Sequence, residues 1–153
     1  MDKNEMNEEE MRIWHMWKGS FQTIFGRVIK DMSENTGLSE GDFGVLDRLD
    51  LLGEGSLRQQ DLADSMGWDK SRLSHHLTRM EKRGLVKRKP LNTDRGVQVT
   101  ITPAGKSALD DARPVVSKAI RRHFFDQLTD QDIESISRLA EKTKSSSCKA
   151  PSP

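Results

Sequence analysis

Residues 69–90 of this 153-residue chain read DKSRLSHHLTRMEKRGLVKRKP, and they gather several kinds of side chain that can do chemistry. Adjacent histidines can ligate metal, serines beside histidines can act as nucleophiles, and cations with hydroxyls can bind a polyanion. The first two fail on geometry. Neighbouring helical residues point ~100° apart, so His75 and His76 do not converge on one ion, and no cysteine or acid joins them at ligand spacing. Ser71 and Ser74 lack the orienting acid and pocket that activate a hydroxyl. The chain also lacks a glycine-rich phosphate loop and a nucleophile elbow. The expectation is therefore no enzyme, no catalytic residue, no metal and no cofactor.

The polyanion reading has charge behind it. Between Lys70 and Arg95 stand nine cations against two acids, Glu81 and Asp94, for a local charge of +7. The whole chain totals +1, so the remainder sums to −6. Such asymmetry points to a basic face on an acidic body.

The surrounding elements decide how those side chains are presented. Leu73, Leu77 and Met80 share one face of a helix over about 70–83, with His76 on its edge as a partly buried packing residue. Ser71, His75, Thr78 and Lys82 fall opposite, flanked by Arg72, Ser74 and Arg79. Asp69 can cap this helix and Gly84 can end it. Upstream, Trp14, Trp17, Phe21, Ile24, Val28 and Met32 recur at spacings of three and four, predicting a long amphipathic helix over about 7–33. Paired tryptophans on such a stripe imply burial in the core or against a second subunit. Ser39 with Asp42 reads as a helix amino-terminal box, opening a helix through Phe43, Leu46, Leu49 and Leu52 that stops at residues 53–55. A short helix follows around 60–66.

Downstream, Leu85–Lys89 and Val97–Ile101 alternate as two strands around a polar loop. Thr102 and Pro103 read as a cap and first-turn proline. The helix they open is expected to run toward Leu128 with an interruption at Pro114. Thr129 with Asp132 caps a last helix bearing Ile133, Ile136, Leu139 and Ala140. Residues 145–153 have little to bury and are expected to be disordered.

Short helix, glycine turn, polar-faced helix and basic hairpin, in that order, spell a winged helix-turn-helix. A helix of this kind fits the major groove of double-stranded DNA, where serine, arginine and histidine reach base edges. An arginine on the wing suits a narrow minor groove. Lys82, Lys87, Arg88 and Lys89 would hold phosphates, which position without specifying sequence. A protein-docking adaptor is the alternative for such a module, but its face should carry apolar anchors, and this one carries Ser, Arg, His, Thr and Lys.

Residues 37–49 (GLSEGDFGVLDRL), 57–88 (LRQQDLADSMGWDKSRLSHHLTRMEKRGLVKR) and 94–105 (DRGVQVTITPAG) resemble the multiple-antibiotic-resistance regulator (MarR) family of bacterial transcription factors. The outer helices match the family's dimerisation region in position. The resemblance implies a mainly α fold with a small β-hairpin wing, as a single domain over 1–153. Within it, 38–102 would be the DNA-binding lobe, 7–36 and 104–144 the dimerisation helices. It implies a homodimer on a pseudo-palindromic operator, commonly a repressor released by a small aromatic or anionic effector. Carried over residue by residue, the DNA-reading positions are Ser71, Arg72, Ser74, His75 and Arg79, with Thr78 on the same face and Arg95 on the wing. Asp94 and Arg95 are adjacent, whereas the family wing spaces them by one residue, so the wing geometry departs from the pattern.

An effector would lie between the first helices, the helix from Pro103 and the DNA-binding lobe, near Trp14, His15, Trp17, Phe43 and Arg48. The single cysteine, Cys148, fits a reducing cytosol. Its place in a serine-rich tail makes it an incidental thiol rather than a redox sensor. No apolar run approaches the ~18 residues of a membrane span, and the expected location is the cytoplasm.

Overall fold

The computed structural model describes residues 5–93 and 95–146, excluding the side chains of 145 and 146. Cys148 and most of the expected tail lie outside the described residues. Among those described, the order is α1 (Glu8–Thr36), α2 (Glu40–Gly53), β1 (Ser56–Arg58), α3 (Gln59–Met66), α4 (Lys70–Lys82), β2 (Val86–Pro90), β3 (Val97–Ile101), α5 (Pro103–His123), a 3-10 turn (Phe125–Gln127) and α6 (Asp130–Ser146).

Local signals set most of these boundaries. Asn7 and Glu10 make a reciprocal capping box on α1, and Ser39 and Asp42 make another on α2. Such boxes satisfy backbone donors that an isolated helix start leaves unpaired. Asp69 caps α4 by accepting from the Arg72 amide at 2.8 Å. The Thr102 hydroxyl accepts from the Gly105 amide at 2.9 Å and donates to the Gly84 carbonyl at 2.6 Å, tying the start of α5 to the turn after α4. A Cβ on Gly105 would come within 2.1 Å of the Leu85 carbonyl oxygen, so only glycine fits that close approach.

The wing is more than a hairpin. Strand β1 pairs antiparallel with β3, giving a three-stranded sheet of order β1-β3-β2. Ser56 and Lys87 both lie across from Thr100. Strand β1 was not expected because three residues are too short for an alternation pattern to show.

The helix from Pro103 also departs from expectation. It is unbroken through Pro114 and ends at His123. Proline removes one amide donor and crowds the preceding turn, but anchors stand on both sides of it. Leu109 and Ala112 are fully buried in the core, and Ala119 is buried in the following turn. His123 Nε2 reaches Asp31 of α1 at 2.7 Å. Arg113 holds Asp47 and Asp50 of α2 at 3.0 and 2.7 Å.

The core sits among α2, α3, α4, the sheet and the first half of α5: Leu46, Leu49, Leu62, Leu73, Leu77, Met80, Val99 and Leu109 are fully buried. Outside it, Trp14 and Trp17 are 52% and 49% exposed, and Phe21 is exposed as well. Within one chain, the expected burial of the tryptophans does not occur. Along α6, only Ile136 among the described side chains is even half-buried.

Candidate nucleic-acid interface and adjoining cavity

Burial of Leu73, His76, Leu77 and Met80 fixes the rotation of α4. Ser71, Arg72, His75, Thr78, Arg79 and Lys82 are consequently exposed, with Ser74 half-buried. The amino-terminal half of α4 faces the wing across an open groove of about 460 Å³. Lys70, Ser71, Ser74, His75 and Arg95 line it together with Gln59 and Gln60. The helix and the wing arginine thus converge on one surface. Lys87 and Lys89 are exposed on β2 beside it.

Gln59 and Gln60 escaped the sequence reading. They open α3 on the groove side, and the Gln59 Oε1 is buried with no hydrogen-bond partner among the described residues. Their only advance signal was their place at the first turn of the helix preceding α4.

Arg88 does not extend outward to a phosphate as expected. Its Nε donates to Glu81 at 2.6 Å, and its Nη2 donates to the Thr78 hydroxyl at 2.8 Å. That hydroxyl donates in turn to the Ser74 carbonyl at 2.9 Å. Arg88 and Thr78 therefore brace the wing against α4. Strand and helix come together only in the fold, so no local pattern announces this pairing.

Behind α4 lies a polar cluster around the buried Asp42. Arg83 donates to Asp42 Oδ2 at 2.6 Å and to the Gly37 carbonyl at 3.2 Å. His76 Nε2 stands 3.0 Å from Asp42 Oδ1, close to it but not aligned as a hydrogen bond. Burial works to raise the Asp42 pKa, but the Ser39 amide, Arg83 and His76 outweigh it and hold the carboxyl below its ordinary value. Burial lowers the pKa of His76; Asp42 opposes this, while Arg79 and Arg72 add to it. His76 is more deeply buried than its position on the helix edge predicts, at 8% exposure.

A second feature adjoins this face. An apolar cavity of about 700 Å³ lies among α1, α2 and α5 and reaches the turn before α4. Trp17, Phe43 and Arg48 line it, whereas Trp14 and His15 do not. Its other walls include Phe21, Phe25, Met32, Met66 and Trp68. Arg48 is held in place by the Ser65 and Gly44 carbonyls, each at 3.2 Å. Among the described residues, no cluster of three or more histidines, cysteines or acids could hold a metal ion. No described helix is long and apolar enough to cross a membrane.

The MarR family model matches residues 38–95, the stretch that builds this groove. Over those residues the chain is similar to the MarR family. The likeness to solved MarR-family structures extends well beyond that stretch. AbsC, a MarR family transcriptional regulator from Streptomyces coelicolor, is 29% identical with a TM-score of 0.79, over 94% of this chain and 99% of that one. Another MarR family transcriptional regulator from the same organism, solved in complex with DNA, is 25% identical with a TM-score of 0.81. That match covers 92% of this chain and 89% of the other. An organohalide-sensing transcriptional regulator in its 2,4-dichlorophenol-bound form shares the fold at 18% identity and a TM-score of 0.73, over 95% and 88% of the two chains. No curated protein sequence matches the chain. The mainly helical winged-helix architecture expected from the sequence is the architecture of these MarR-family structures.

Proposed function

We propose that this chain is a MarR-type, sequence-specific, double-stranded DNA-binding transcription regulator. In this reading it is a homodimeric repressor of a pseudo-palindromic operator, released by a small apolar or aromatic effector that carries an anionic or phenolic group. The observation that carries the reading is the convergence of Ser71, Ser74 and His75 of α4 with Arg95 of the wing on one groove. Polar donors at the amino-terminal end of a groove-sized helix suit base edges, and Lys82, Lys87 and Lys89 flank them for phosphates. A 25%-identical relative solved with DNA supports the same assignment.

Dimerisation follows from what one chain leaves uncovered. Trp14, Trp17 and Phe21 on α1 and Ile133 and Leu139 on α6 are exposed apolar side chains. Aromatic residues at this density are typical of the centre of a subunit interface. Residues 7–36 and 104–144 are the dimerisation helices in this proposal. The cavity between them and the lobe is the effector site, with Trp17 and Phe43 as apolar walls and Arg48 at the wall to meet an anionic group.

Selection of bound duplexes from a randomised pool tests the reading. The expected result is a two-fold-related site in which His75→Ala relaxes the preference at one position per half-site, at about 1–3 kcal/mol. Recovery of unrelated sequences would refute it.

A further inference from the structure

Trp68 stands between the two features that the proposed function uses. One side of its indole forms part of the cavity wall. The Arg72 guanidinium carbon lies 4.0 Å from the ring centroid. The His76 ring meets the indole edge-on, with centroids 5.3 Å apart and planes at 80°. Gly41 of α2, itself on the cavity wall, closes the remaining space. A Cβ there would come within 2.9 Å of Trp68 Cη2 and 2.8 Å of His76 Cε1. The indole is thus boxed between α2 and the first two turns of α4, and Arg72 rests on it.

Trp is the aromatic that holds a guanidinium most strongly, through the negative potential of its ring face. Arg72 is otherwise an exposed, rotamer-rich side chain on the first turn of the reading helix. Fixing it before DNA arrives removes an ordering cost that binding would otherwise carry. The geometry points to Trp68 as a positioning residue that aims Arg72 at the bases and makes that aim sensitive to what fills the cavity. An occupant that shifts the indole carries Arg72 with it. One that leaves the indole in place does not. This inference rests on the DNA-reading function proposed above and adds the route by which the cavity acts on it.

The test needs no effector. Full-length protein is titrated against its own selected duplex and a scrambled one, with melting curves as the check on folding. Trp68→Leu is expected to lose about tenfold in preference for the selected duplex. Trp68→Phe, which keeps an aromatic face under the guanidinium, regains most of that loss. Gly41→Ala, whose methyl crowds the indole and the His76 ring that meets it, reproduces the loss in a folded protein. In an Arg72→Ala background neither Trp68→Leu nor Gly41→Ala has a further effect, because contacting residues are not additive. Additive losses, equal weakening on both duplexes, or no recovery with Trp68→Phe would overturn the coupling. If the unaltered protein does not distinguish the two duplexes, the DNA-reading function falls and this inference falls with it. If the unaltered protein distinguishes them and Trp68→Leu does so equally well, only the coupling falls.

Discussion

Asp42 does two jobs from one position. Its backbone and carboxylate close the box that starts α2, and the same carboxylate receives Arg83 and His76 from α4 and its end. Both Asp42 and His76 bind fewer protons folded than unfolded, since each pKa is lowered in the fold. Stability rises with pH wherever the unfolded state holds more protons. Acidification should therefore lower the urea midpoint in two steps, first as pH falls through the ordinary histidine value of 6.5, then through the ordinary aspartate value of 3.8. His76→Gln should flatten the upper step and Asp42→Asn the lower. Arg83→Ala should cost about 2 kcal/mol near neutral pH, the scale of a lost hydrogen bond to a charged group, and the same urea titrations measure it. The sequence showed the Ser39–Asp42 box because its partners are three residues apart. It did not show Arg83, whose partner is 41 residues away.

Among the elements, the phase of α4 was legible because a period of 3.6 sorts its residues without outside help. Leu73, Leu77 and Met80 are buried where the pattern put them. Strand β1 and the course of α5 through Pro114 were not legible, because both depend on partners distant in sequence: β3 for the strand, the lobe core and α1 for the helix. The roles of two neighbouring cations on β2 show the same limit. Lys87 and Arg88 read alike as phosphate ligands, yet Lys87 is exposed while Arg88 is committed to Glu81 and Thr78. Lys87→Ala should weaken binding to every duplex alike and reduce the salt slope by about 1. Arg88→Ala should instead loosen the wing, costing about 1–2 kcal/mol of stability and leaving the salt slope nearly unchanged. Urea unfolding beside duplex titrations at several salt concentrations separates the two.

At the scale of the whole molecule, a covered core stands beside uncovered aromatic side chains along α1. Hydrophobic residues make up 33% of the sequence, a low share for a chain that completes its own core. The structure locates where one chain falls short: Trp14, Trp17 and Phe21 remain half or more exposed along α1 or close to it, and α6 packs little of itself away. Sedimentation should give a dimer at micromolar concentration. Trp17→Glu should shift it toward monomer, since an unpaired charge buried in an interface costs several kcal/mol. A stable monomer from the unaltered chain would remove the proposed two-fold arrangement of reading helices.

The charge distribution supplies the most direct test of the central claim that α4 and the wing read DNA. A face carrying +7 on an acidic body should bind a selected duplex with an affinity that falls steeply with salt. The slope of log affinity on log salt should be about −0.9 for each phosphate neutralised. Equilibrium titration of that duplex and a scrambled one across a salt series measures slope and preference together. Tight, steeply salt-dependent binding with a clear preference for the selected duplex is the predicted result. Binding that ignores salt, or that weakens with salt while treating both duplexes alike, would contradict it.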